Sequence, residues 1–216
     1  MLTKISVLLV TGCISASLLG YFYWYNPAFY PQSQSFKPNI VNELDNTIFI
    51  KKLQQKAVSL KKYCKTNGYN EQVAFLIDMS IHAGKQRFFV YDLQNNRIKK
   101  AGLVTHGSGS ETGTDQLYFS NVPNSNCTSL GRYKIGKKYQ GKFGLAYKLH
   151  GLDASNNKAF ERFVVLHGHR CVPSREVYPV SICPSLGCPT VAPDFLLELK
   201  KYIDTSNEPI LLSIYD

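Results

Sequence analysis

RFVVLHGH, residues 162–169, reads as an apolar β-strand that delivers His167 to its end and then turns at Gly168. Glycine at such a point lets the backbone bend sharply and lets a second molecule approach closely, so the histidine before it is placed to line a site. Twenty-one residues further on lies Cys188, inside SICPSLGCPT (181–190). Two more His-Gly pairs follow β-like runs, VTHGSGS at His106 and KLHGLD at His150, and His169 stands two positions beyond His167.

Working outward, QVAFLIDMS, RFFVYDL and KKAGLVTHG are short apolar runs, and QNN after the second has hairpin-turn composition. GRYKIG, AYKLHGL and PILLSIY (209–215) are further strands, and PDFLLELKKYID (193–204) has the pattern of a helix. The domain is therefore mainly β with peripheral helices, a sandwich or an open barrel. Before it, Leu53, Ala57, Leu60 and Cys64 recur at steps of four, three and four among lysines 51, 52, 56, 61 and 62, which predicts an amphipathic helix within a helical lead-in at 42–71.

Residues 5–25 carry no formal charge and end in the aromatic cluster Tyr21 to Tyr25, with Lys4 on the short side. A run of that length spans a bilayer at ~1.5 Å per residue. The expectation is a membrane anchor or signal sequence at 1–25 with its carboxy-terminal side exported. SAS at 15–17 offers a cleavage site and VTGC at 10–13 a lipobox as alternatives. NPAFYPQSQSFKPN then supplies a linker at 26–41. The net charge of +10 favours an anionic partner such as an acidic polymer or a membrane surface. Because the lysines are dispersed and the domain is exported, nucleic acid is not the expected partner. Nothing in the sequence sets the oligomeric state.

In an oxidising compartment disulfides persist. Outside the anchor lie Cys64, Cys127, Cys171, Cys183 and Cys188, an odd number that leaves a free thiol or an intermolecular pair. A thiol becomes an acyl-transfer nucleophile when an imidazole removes its proton, and the turn at Gly187 exposes the Cys188 sulfur while the amides around it face a developing oxyanion.

At these residues the sequence resembles the L,D-transpeptidase (YkuD-like) family, whose signature is His-Gly followed at a distance by Ser/Thr-His-Gly-Cys. Here His167-Gly168 leads, with 17 residues between His167 and Ser185, to SLGC at 185–188. The likeness covers roughly 72–216 and is greatest to the murein L,D-transpeptidase catalytic domain branch, on RFFVYDL, LVTHGSGS, YFSNVPNSNCTSLGRY, KLHGLDASNNKAFERFVVLHG and SLGCPTV. The resemblance implies a β-rich catalytic domain without metal or cofactor, acting on peptidoglycan stem tetrapeptides in the cell envelope, on the periplasmic side of the inner membrane. Cys188 would attack the diaminopimelate carbonyl, D-Ala would leave, and an amine would resolve the thioester. His167 would be the general base, with Gly187, Ser185 and Gly168 supporting the loop and oxyanion, and His106 and His150 as candidate substrate contacts. Leu186 stands where many members have histidine.

Three other readings compete. An L,D-carboxypeptidase would use water as acceptor, and a non-catalytic wall-binding domain would use the positive charge alone. Zinc would need four ligands from His167, His169, Cys171, Cys183 and Cys188. If Cys188 stays free, Cys171 with Cys183 is the favoured bridge, closing VPSREVYPVSI and stabilising by ~3 kcal/mol in the chain-entropy model. Cys64 and Cys127 either pair or stay reduced and buried.

Overall fold

The computed structural model describes residues 40–216 apart from Asp115. The expected anchor and all but the last two residues of the expected linker lie outside the described residues. Among the described residues no helix is long and apolar enough to cross a membrane. The chain divides into two compact units, residues 1–49 and 50–216, and the architecture below is that of the second.

Helix α1 (Ile40–Asn67) carries the predicted apolar face. Leu53, Ala57, Leu60 and Cys64 are all buried, as their spacing on a 3.6-residue period requires. The helix stops where Gly68 takes φ +69° and the Tyr69 amide bonds back to the Cys64 carbonyl, a left-handed cap that costs glycine nothing.

Eight strands follow: β1 (Val73–Asp78), β2 (Phe88–Asp92), β3 (Arg97–Gly102), β4 (Gly131–Gly141), β5 (Gly144–Gly151), β6 (Val165–Gly168), β7 (Thr190–Val191) and β8 (Leu211–Tyr215). Helix α2 (Pro193–Thr205) lies between the last two. All eight strands form one sheet in the order β3-β2-β1-β8-β4-β5-β6-β7. The carboxy-terminal strand β8 is central, parallel to β1 and antiparallel to β4. The two edges meet: Val104, just past β3, bridges Val191 of β7, and the Thr105 amide donates to the Thr190 carbonyl at 2.9 Å. Of the two expected architectures the open barrel is therefore the one observed, because the sheet curls until its ends bond instead of stacking on a second sheet.

Two strands differ from the sequence expectation. β4 runs on to Gly141, well beyond GRYKIG, since it pairs with β5 through to a turn at Gly144. β6 is only four residues long, because Phe163 takes φ +55° and leaves the ladder. The inside of the curled sheet is filled by Phe75, Phe88, Tyr133, Tyr147, Leu166 and Leu212, with Leu196 and Leu199 of α2 packed on the same cluster.

Leu212 is fully buried at the middle of the central strand. Leu212→Ala is expected to lower unfolding free energy by about 2–5 kcal/mol, the range for a cavity left in a tightly packed core. A urea midpoint unchanged from wild type would contradict that placement.

Candidate active site

His167 pairs in register with Ala146 of β5 on one side and Thr190 of β7 on the other. Since Cys188 precedes Thr190 by two residues, this parallel pairing brings SLGC to the histidine. Cys188, His167, Thr190, Ser185 and Leu186 line one cavity of about 540 Å³, with Phe143 and Phe163 on its walls.

The imidazole is buried and held at both nitrogens. Nδ1 lies 3.2 Å from the Gly168 carbonyl and Nε2 lies 3.0 Å from Thr190 Oγ1. A carbonyl oxygen only accepts, so Nδ1 carries the hydrogen and Nε2 the lone pair, which receives the Thr190 hydroxyl. The Phe143 ring stacks on the imidazole at 5.4 Å. Burial, foremost, holds the His167 pKa below 6.5, so the ring rests neutral.

Cys188 is half-buried and reduced. Its sulfur accepts from the Val165 amide at 3.5 Å and faces the Phe163 carbonyl at 3.7 Å. Thus thiol and imidazole share the cavity while each bonds to its own partners. Burial pushes the thiol pKa above 9.0, against smaller lowering by the Val165 amide and the nearby Arg162. The Arg162 guanidinium is anchored on the carbonyls of Ser120 and Cys127.

The loop before the thiol is clasped by the segment after β3. Ser185 donates its amide to the His106 carbonyl at 2.8 Å and accepts the Ser108 amide at 2.7 Å. Its hydroxyl bonds the Cys188 carbonyl at 2.7 Å and receives the Gly187 amide at 3.1 Å. Gly187 sits at φ +106°, and a Cβ there would stand 2.7 Å from the Cys127 carbonyl oxygen, so only glycine fits. In this structure the Gly187 amide hydrogen is bonded inside the loop, to the Ser185 hydroxyl.

Neither of the other two candidate histidines lines the cavity. His106 accepts from the Arg87 guanidinium at Nδ1 (2.9 Å) and bonds Glu111 through Nε2 (3.2 Å). Burial, with the Arg87 charge second, depresses its pKa, so its contribution runs through its backbone carbonyl. His150 stacks its ring on Phe160 at 5.1 Å.

Cys171 and Cys183 form a disulfide, and Cys64 and Cys127 are both free and buried. Oxidation of two of its five candidate ligands removes the zinc alternative's set of four. The bridge lies in the same cavity wall, with His169 Nδ1 2.9 Å from Cys171 Sγ. Leu186 is 73% exposed and Phe163 84% exposed, so the mouth is apolar where histidine would have made it polar. Sequence reading missed Thr190, Phe143 and Arg162, whose roles depend on which strands become neighbours.

Residues 44–213 match the family model described as L,D-transpeptidase catalytic domain, a span that takes in most of α1. No curated protein matches the sequence at a significant level. Among solved structures, the fold is similar to the helical cell shape determining protein Pgp2 from Campylobacter jejuni, with TM-score 0.44 and 11% identity over 67% of this chain and 47% of that one. It is also similar to Bd1075 from Bdellovibrio bacteriovorus, with TM-score 0.40 and 16% identity over 67% and 48%. The structure of the Ldtfm-avibactam carbamoyl enzyme gives TM-score 0.42 and 11% identity over 68% and 50%. The chain thus spans about half the length of these solved relatives.

Two outcomes follow from the geometry. Without substrate, the rate of Cys188 alkylation by iodoacetamide, mapped by mass, should inflect above pH 9.0, because burial disfavours the thiolate; an inflection near neutrality would contradict this. Gly187→Ala should displace the loop and change the rate of Cys188 alkylation at least ~10-fold while the far side of the sheet keeps its stability, as a Cβ cannot occupy that site without strain.

Proposed function

Because the chain belongs to the L,D-transpeptidase catalytic domain family, we propose that it joins peptidoglycan stem peptides through a thioester on Cys188. The observation that carries this reading is the shared cavity: a free thiol in the loop just before β7, and on the neighbouring strand β6 a histidine whose Nε2 is the basic atom.

The steps follow from those positions. The carbonyl of the stem's diaminopimelate residue enters beside Cys188, and His167 Nε2 takes the thiol proton as sulfur attacks. The Cys188 amide is proposed as an oxyanion donor, given that the Gly187 amide bonds Ser185. Collapse breaks the peptide bond, the D-Ala amine leaves with the proton from His167, and the acyl group remains on sulfur. An incoming amine then forms the new amide and releases the thiol. Because free thiol and free imidazole both rest neutral, the ion pair arises only as the carbonyl is attacked, which protects the cysteine between turnovers.

Placement in the cell envelope is part of the same proposal. A Cys171–Cys183 bridge suits an oxidising compartment, the +10 charge suits an acidic wall, and residues 5–25 would anchor the chain on the periplasmic side of the inner membrane.

Incubation with a stem tetrapeptide, with and without an amine acceptor, tests the reaction by mass. D-Ala release with a cross-linked product is expected; release giving only the tripeptide would identify the carboxypeptidase, and no release a non-catalytic binder. Cys188→Ala should abolish turnover, and His167→Ala should cut it by roughly 10²–10⁴ with the fold intact. In wild type, kcat/KM should fall on acidification only below pH 6.5, since protonation of His167 removes the base and burial lowers its pKa. An acid limb centred above that value would contradict the buried, neutral imidazole.

A further inference from the structure

The face of β5 that lines the thiol cavity continues beyond it. Along this strand Tyr147 and Leu149 turn into the core, so Ala146, Lys148 and His150 share the opposite face, and Ala146 lies in the cavity. At the rise of a strand Lys148 stands ~7 Å and His150 ~13 Å beyond Ala146. β4 sets Tyr139 opposite Ala146, on the cavity wall, and Lys134 opposite His150. Between those two pairs β4 bulges, and Gly136 leaves room for the His150 ring, since a Cβ there would stand 2.7 Å from its Nε2.

The side chains along this strip are aromatic and basic. Phe160, from the connection between β5 and β6, stacks one face on His150 and is still 52% exposed. Lys148 Nζ lies 5.1 Å from the Phe160 ring centre and 5.9 Å from that of the partly exposed Tyr139. Among the described residues neither Lys134 nor Lys148 joins an ion pair or donates a side-chain hydrogen bond. Burial, foremost, with the Lys134 and Lys148 charges behind it, holds the His150 pKa below 6.5, so its ring is neutral and offers one donor and one acceptor.

Exposed ring faces, unpaired ammonium donors and a neutral imidazole suit a ligand with C–H faces and polar, uncharged edges. A pyranose is built that way: its axial C–H bonds pack on an aromatic face, and its hydroxyl and acetamide oxygens accept from ammonium groups. A cationic ligand would meet two lysines, and a wholly apolar one would leave them without acceptors.

We infer that this strip binds the N-acetylated sugar chain that carries the stem peptide. The identity of that chain rests on the thioester reading above. In a tetrapeptide whose last residue leaves as D-Ala, diaminopimelate is third, and two residues separate it from the sugar. Extended, they span ~7 Å. With the diaminopimelate carbonyl at Cys188, the sugar therefore lies outside the thiol cavity, where Lys148, Phe160 and Tyr139 meet it. A stem peptide cut from its glycan fills the cavity and leaves the strip bare.

The binding test uses a probe without peptide, the tetramer of N-acetylglucosamine, titrated into the full-length protein and followed by ligand-observed NMR. Saturable binding is expected, weakened at least ~10-fold by Phe160→Leu, which keeps apolar bulk and removes the ring. Lys148→Ala should weaken it as much, and at an exposed position keeps the test available if Phe160→Leu does not fold. Lys62→Ala, on the exposed side of α1, should change nothing. The deacetylated tetramer, a polycation, should bind at least ~10-fold more weakly. No binding, binding that both strip variants leave intact, or equal or tighter binding of polyglutamate would overturn the site. Turnover gives the second reading: KM for a disaccharide-tetrapeptide should lie at least ~10-fold below that for the free tetrapeptide, and Phe160→Leu should erase the difference. Turnover without that advantage defeats the glycan assignment. No turnover of either substrate defeats the proposed function, while saturable binding of the sugar tetramer would still uphold the strip as a glycan site.

Discussion

The parallel pairing of β6 with the two-residue strand β7 is the constraint on which the site depends. It sets His167 opposite Thr190 and thereby puts Cys188, two residues earlier, into the same cavity. So short a strand cannot hold its own register through ladder bonds. It is fixed instead from the other edge of the sheet, where the Thr105 amide donates to the Thr190 carbonyl, the Thr190 amide donates to the Thr105 hydroxyl, and Val104 bridges Val191. Curling of the sheet is thus what makes the site, since a flat sheet would leave β7 without its second neighbour. The clasp of Ser185 on His106 and Ser108 extends that closure into the loop that carries Cys188.

Burial then decides the resting chemistry. It raises the thiol of Cys188 and lowers the imidazole of His167, the two directions that favour neutral forms, and the positive Arg162 only partly offsets it at sulfur. With Thr190 on Nε2 and Gly168 on Nδ1, the imidazole proposed as the base is oriented before substrate arrives. Preorganisation of this kind lowers the barrier by avoiding reorientation at the moment of attack. The Arg87–His106–Glu111 chain serves a different end: it fixes the segment to which Ser185 is clasped, and the guanidinium at Nδ1 denies His106 a free lone pair there.

Much of this was legible in the sequence where the signal is local. Apolar runs located the strands, the four-three-four spacing of Leu53, Ala57, Leu60 and Cys64 found the buried face of α1, and Cys171 with Cys183 was the favoured bridge, while the odd cysteine count left open the state of Cys64 and Cys127, which both stay reduced alongside Cys188. Pairing across the sheet was not legible. His106, His150 and His167 have the same His-Gly context, yet only His167 reaches the cavity, because strand order, not motif, decides which end of which strand meets SLGC. Thr190 belongs to no apolar run in the sequence, and its place beside His167 follows only from the pairing of β7 with β6. Phe143 is at a hairpin tip whose direction depends on the β4–β5 pairing running past Ile135. The late start of β6, after Phe163, comes from a positive φ at a bulky residue, which no propensity anticipates.

The central claim is that the sulfur of Cys188 carries the acyl group. Rapid quenching of the protein with a stem tetrapeptide, followed by digestion and mass analysis under non-reducing conditions, tests it directly. The account predicts one adduct of the tripeptide acyl mass on the peptide containing Cys188, with Cys171 still bridged to Cys183 and Cys64 and Cys127 unmodified. An adduct on any other residue, or turnover with no adduct at any quench time, would contradict it.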